Sequence, residues 1–185
     1  MNATKDRINT FFQYKDLLRE LVVRDVKLKY RRSFLGYLWS ILNPLLIMIV
    51  MTLVFSQMFR QGIENYPVYL LAGQTLFDFM NSSTHMSMYS VLDNSSLIKK
   101  IYVPKYIFTL SKVTSSLIDL IFSMGALIIV MIFTRSHFSP YILLFPLVII
   151  PLYIFVCGMG FLLSAANVFF RDIEYIYNAI TVAWT

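Results

Sequence analysis

The sequence predicts an all-α integral membrane protein: an N-terminal amphipathic interface helix, four transmembrane helices and the start of a fifth. Three observations lead there. The 185 residues are 58% hydrophobic and only 14% charged, with a mean hydropathy of +0.66, whereas soluble domains are nearer ~45–50% apolar. No Asp, Glu, Lys or Arg occurs between Ser33 and Phe59, which exceeds the ~20 residues needed to cross a hydrocarbon core of ~30 Å. Lysine and arginine also fall unevenly on alternate connections: with four spans, fourteen lie on one side and only Arg60 and Arg135 on the other. The positive-inside rule reads that bias as a cytoplasmic N-terminus.

The first element is a helix over about 14–30. Tyr14, Leu17, Leu18, Leu21, Val22 and Leu28 fall close to one face, with Lys15, Arg19, Arg24 and Lys27 elsewhere. Such a basic amphipathic helix suits the membrane interface; contact with a cytoplasmic partner is the other use for its polar side. Some 36 charged and mixed residues precede the first apolar run, unlike the short basic region of a cleavable signal peptide, so the N-terminus is expected to remain in the cytoplasm. The basic run Leu28-Lys29-Tyr30-Arg31-Arg32 then leads into the first span.

Four spans follow, at about 37–59, 66–91, 106–133 and 141–166, the second being the most polar. After Arg171-Asp172 an apolar-aromatic run starts at Tyr175 and stops at Thr185. Eleven residues are too few to cross, so more of the membrane domain is expected on further sequence. The excess of 16 Lys and Arg over 10 Asp and Glu flanks apolar spans instead of forming a solvated face. It therefore reads as topology and lipid contact, with no nucleic acid as partner. Cys157, the single cysteine, has no internal disulfide partner.

Two constellations carry polar chemistry. Asp78, Asn81, Ser82 and His85 stand at i, i+3, i+4 and i+7, on one face of the second span. Lys112, Ser115, Ser116 and Asp119 repeat the device in the third. If the two helices are antiparallel neighbours, Asp78 and Asp119 each lie roughly 20 Å in from the cytoplasmic ends, and His85 and Lys112 roughly 9 Å in, at ~1.5 Å per residue. Ionisable groups at such depth face a bundle interior or water. The faces either glue helices together through Ser and Asn hydrogen bonds, line a transport route, or do proton chemistry. His85 and His137 fall on opposite sides of the expected bilayer, which leaves no shared metal site. No glycine-rich phosphate loop is present, and Gly158-Met159-Gly160 reads as close helix packing.

The connection from Asp93 to Lys105 combines an Asn/Ser helix start, apolar Leu97, Ile98, Ile101 and Tyr102 at helical spacing, Lys99 and Lys100, and a terminating Pro104. A short cytoplasmic helix over about 94–104 is expected. Its apolar face needs lipid or a groove on a soluble subunit to bury it.

The run Lys29-Tyr30-Arg31-Arg32-Ser33-Phe34-Leu35-Gly36-Tyr37-Leu38-Trp39, followed by Asn43-Pro44-Leu45, resembles the junction of interface helix and first span in permeases of type 2 ABC exporters. The branch that exports lipid-linked polysaccharides such as O-antigen, capsule and teichoic acid is the most similar. Leu97 to Lys105 resembles the family's coupling helix, and Asn167-Val168-Phe169-Phe170-Arg171-Asp172-Ile173 its segment after the fourth span. A complete member usually has six spans and about 260 residues.

The resemblance implies one ABC type 2 transmembrane domain over 1–185, incomplete at the C-terminus, in a bacterial cytoplasmic membrane. It implies a homodimer of permeases over two cytoplasmic ATPase subunits, with ATP and magnesium on the ATPases and no cofactor in this chain. Leu97, Ile98, Lys99, Lys100, Ile101 and Tyr102 would couple to the ATPase. Leu17, Leu18, Leu21, Arg24 and Lys27 would form the interface helix. Tyr37, Trp39, Asp78, Asn81 and His85 would border the route of a lipid-linked glycan. Competing readings are an exporter of a drug or small lipid, a membrane-embedded transferase using Asp78, His85 and Asp119, and a non-catalytic scaffold.

Overall fold

The computed structural model describes residues 13–31, 33–55, 65–135, 142 and 144–184. Among them every regular element is a helix: α1 (Lys15–Tyr30), a 3-10 turn (Gly36–Leu38), α2 (Trp39–Phe55), α3 (Tyr66–Asp93), α4 (Ser95–Ile98), α5 (Tyr106–Phe133), α6 (Phe145–Phe169) and α7 (Ile173–Trp184). Expectations that fall on Arg32, residues 56–60 at the end of the first span, His137, Tyr141 and Thr185 lie outside the described residues.

Three stretches are long and apolar enough to cross a membrane: Gly36–Val54, Tyr106–Phe133 and Phe145–Phe169. The 28 residues of α3 make a rod of roughly 42 Å at ~1.5 Å per residue, so its length suffices, but Asp78, His85 and a series of hydroxyls make it the polar member. The described part of the fourth apolar segment becomes α-helical at Phe145 and continues to Phe169, three residues past the expected end.

α3 is the centre of the bundle and packs on both α5 and α6. Its pairing with α5 is antiparallel. Ser90 meets Thr109, Phe79 packs with Val113 and Leu120, and Leu71 packs with Val130. Met48 of α2 joins the Leu71–Val130 cluster, and Val156 of α6 joins Phe79 and Val113. The long helices α2, α3, α5 and α6 therefore alternate in direction, as short connections between long apolar helices require. Lipid tails are as apolar as these side chains, so van der Waals packing and interhelical hydrogen bonds hold such a bundle.

The polar face of α3 divides between two jobs. Ser90, Thr109 and Ser164 form a buried hydroxyl triad across α3, α5 and α6, with separations of 2.9, 3.1 and 3.3 Å. The Asn167 amide donates to the Met88 carbonyl at 3.1 Å. A Cβ added to Gly160 would stand 2.8 Å from Ser87 Oγ and 3.0 Å from Ser87 Cβ, whereas one on Gly158 would meet nothing within 4 Å. Close packing is thus the business of Gly160 alone, and Gly158 faces open space.

α4 is much shorter than the eleven-residue helix expected over 94–104. One turn forms, and i to i−4 bonds persist to Ile101, whose N–H reaches the Leu97 carbonyl at 3.1 Å. Pro104 then opposes helical geometry at Val103, and the chain is non-helical from Tyr102 to Pro104. Asn94 is the residue before the helix, but its side chain does not cap it; the amide turns back and donates to the Ser90 carbonyl at 2.8 Å.

Candidate functional site

Two polar clefts and one exposed turn hold the residues singled out above. The first cleft, about 400 Å³, lies among α2, α3 and α5, with Trp39, Asn43, Asp78, Asn81, Ser116 and Asp119 among its walls. Pro44 of α2 also lines it. A proline inside a helix has no N–H to give to the carbonyl four residues earlier, here that of Ser40, a residue of the same wall. The Asn43-Pro44 pair thus leaves backbone polarity beside a polar cleft, where it is tolerated at membrane depth.

Antiparallel packing brings Asp78 and Asp119 into this one cleft, level with each other as the spacing predicted. The expected set is only partly assembled. Trp39, Asp78 and Asn81 line the cleft. Tyr37 sits outside it, its ring 6.5 Å from that of Phe122. His85 packs edge-on to Tyr177 with ring centroids 5.5 Å apart, on the α7 side, where Tyr177 also donates to Thr84 at 2.7 Å. Helical spacing put His85 with Asp78, but an α7 ring anchors it elsewhere.

A second cleft of about 420 Å³ adjoins the first, sharing Lys29, Ser82 and Asp119, and is walled by Asp25, Met86, Lys112 and Ser115. Here the charges of α5 find partners on α1. Lys112 Nζ lies 3.1 Å from Asp25 Oδ2, and Lys29 Nζ lies 2.8 Å from Asp119 Oδ2. Arg24 Nη2 is 3.0 Å from Asp25 Oδ1 and donates to Asn94 Oδ1 at 3.1 Å.

The two α5 charges, Lys112 and Asp119, thus find their partners on α1, outside the pair of spans. Asp25, Lys29 and Asn94 were not among the residues singled out for function. Asp25, an acid amid basic residues and four positions from Lys29, was the available signal.

The apolar side of α1 is covered by protein from Tyr14 to Val22, while Leu28 is exposed. Leu21, Val103, Ile107 and Phe108 form a buried cluster, with Tyr14, Leu17, Leu18, Leu97 and Ile98 packed against it. Leu97 and Ile98 are consequently half-buried, whereas Ile101 is 55% and Tyr102 91% exposed. The four apolar residues expected on one face thus split into an inward and an outward pair. Lys27, Lys99 and Lys100 are exposed. Among the described residues no group of three His, Cys, Asp or Glu side chains is placed to hold a metal ion.

Long apolar helices reversing direction around polar clefts define a multi-pass membrane protein of the transport class. The model of the ABC-2 type transporter family matches residues 16–185, and the chain belongs to that family. It is 30% identical over 177 residues to the O-antigen export system permease protein RfbA of Myxococcus xanthus, covering 96% of this chain and 68% of that protein. It is 31% identical over 160 residues to a protein of the same name from Klebsiella pneumoniae, covering 86% of this chain and 62% of the relative.

Proposed function

We propose that this chain belongs to the permease subunit of an ATP-driven exporter that moves a lipid-linked polysaccharide of the O-antigen type across a bacterial cytoplasmic membrane. The observation that carries the reading is the first cleft, where Trp39, Asp78, Asn81 and Asp119 meet between helices of a transporter-family bundle. Aromatic faces stack on sugar rings, and carboxylates and amides accept and donate hydrogen bonds to hydroxyls. The relatives are named as O-antigen export permeases, which favours polysaccharide over a drug or small lipid.

In this reading α3 crosses the bilayer as a fourth span, supported by its antiparallel packing along α5. The basic α1 serves as the interface helix, with the N-terminus inside, supported by the lysine and arginine bias. The turn from Asn94 to Tyr102 docks a cytoplasmic ATPase that carries ATP and magnesium. Exposed Ile101 and Tyr102 supply the apolar anchor, and Lys99 and Lys100 add charge complementary to an acidic rim. A second permease copy completes the route. A transferase built on Asp78, His85 and Asp119 is disfavoured because His85 is turned to Tyr177.

The test is ATP-driven delivery of a lipid-linked glycan into inverted vesicles holding the full-length protein and its ATPase. Glycan protected from added glycosidase only with ATP supports the reading. Glycan modified chemically without ATP would replace it with the transferase.

A further inference from the structure

The chain leads from α1 into α2, yet among the described residues the ion pairs and apolar packing of α1 run chiefly to α5 and the segment before it. The Tyr14 hydroxyl donates to the Tyr102 carbonyl at 3.2 Å, Leu21 packs with Val103, Ile107 and Phe108, Asp25 pairs with Lys112, and Lys29 pairs with Asp119. Partners rise together along both helices, so α1 runs parallel to the first half of α5 over its whole length. Toward α2 the backbone is irregular: Ser33 to Leu35 are non-helical, and Gly36 takes φ +49° before the 3-10 turn. A left-handed glycine bends there at no steric cost, so α1 and α2 are joined by a bend and not by a continuous helix.

We propose that α1 moves as one body with α5 rather than with α2, and that Asp25 and Lys112 are the positioning pair that fixes its register. This rests on the exporter reading for its use, though not for its geometry. The charges are ordered acid then base on α1, four residues apart, and base then acid on α5, seven apart. A slide of one helical turn, about 5.4 Å, in one direction carries Asp25 toward Asp119. In the other it carries Lys29 toward Lys112. Either slide replaces attraction with like-charge approach. Arg24 ties the same node to Asn94, and Asn94 to the Ser90 carbonyl at the end of α3.

Force applied to the Asn94–Tyr102 turn or to α1 is thereby delivered to α5 and, through Lys29 and Asp119, to the wall of the first cleft. It bypasses α2 at the glycine joint. Asp25 and Lys112 touch no substrate in this scheme; they position the helix that transmits the displacement.

The experiment uses the full-length permease with its ATPase in liposomes, in a Cys157→Ala background, carrying Leu21→Cys and Ile107→Cys crosslinked directly as a disulfide by a small membrane-permeant oxidant. Crosslinked protein is expected to export within about twofold of the reduced sample. Export lost on crosslinking and regained on reduction would overturn the proposal, because α1 would then have to slide along α5.

Crosslinking yield reads the register without any transport. Asp25→Lys and Lys112→Asp are each expected to lower the yield about tenfold, as coupled neighbours do, with the double swap restoring it. A double swap no better than the single changes would overturn the register claim. Absence of ATP-driven export before crosslinking would count against the exporter reading instead, and the yields would still decide the geometry.

Discussion

Asp25 and Asp119 both sit in ion pairs, but their surroundings set different values. The Asp25 side chain is 4% exposed and that of Lys112 12%, so removing one partner strands a buried charge. Lys112→Met is expected to destabilise the protein by about 3 kcal/mol, the lower end for a broken buried pair because Arg24 still contacts Asp25. A lowered thermal midpoint in detergent would check it. The Lys29–Asp119 pair is 49% and 22% exposed, where screening leaves such pairs roughly 0.2–1 kcal/mol. Lys29→Met should therefore barely move that midpoint, and any large loss of export would come from the cleft wall. Gly160→Val must displace Ser87 and is expected to cost about 1–3 kcal/mol by overpacking, while Gly158→Ala should be silent in the same melt.

Among the helices, those carried by apolar runs and helical periodicity were legible in the sequence. The Trp39–Phe55, Tyr106–Phe133 and Phe145–Phe169 helices follow from composition and length alone, and antiparallel neighbours follow from short connections. The short α4 was not legible to its full extent, because apolar spacing from Leu97 to Tyr102 suggested a continuous helix that Pro104 cuts off. Side-chain destinations were less legible still. His85 shares a helical face with Asp78, but the ring that draws it away belongs to α7, far along the chain. Asp25 and Lys112 could be matched only once α1 was known to lie beside α5. At this scale His85→Ala is expected to leave export within about twofold while loosening α7, since an aromatic pair contributes roughly 0.5–1.5 kcal/mol. Export rates and protease sensitivity near residue 173, measured together, check both halves.

As a whole, the molecule sets a polar cleft within apolar helices and an exposed apolar turn beside Lys99 and Lys100 at one end of the bundle. A family of ATP-driven transporters needs both, one to pass cargo and one to receive force. Ile101 is half exposed and Tyr102 almost wholly so, which leaves apolar surface on the turn proposed to dock the ATPase. The most direct measurement is co-purification of a soluble ATPase with the full-length protein, comparing the unaltered chain with Ile101→Asp. A charge at a buried anchor of such an interface should weaken binding by about 2 kcal/mol or more. The ATPase should then be recovered with the unaltered chain and lost from the variant while the membrane protein stays folded. Equal recovery with both would place the docking surface elsewhere, and recovery with neither would contradict the exporter reading itself.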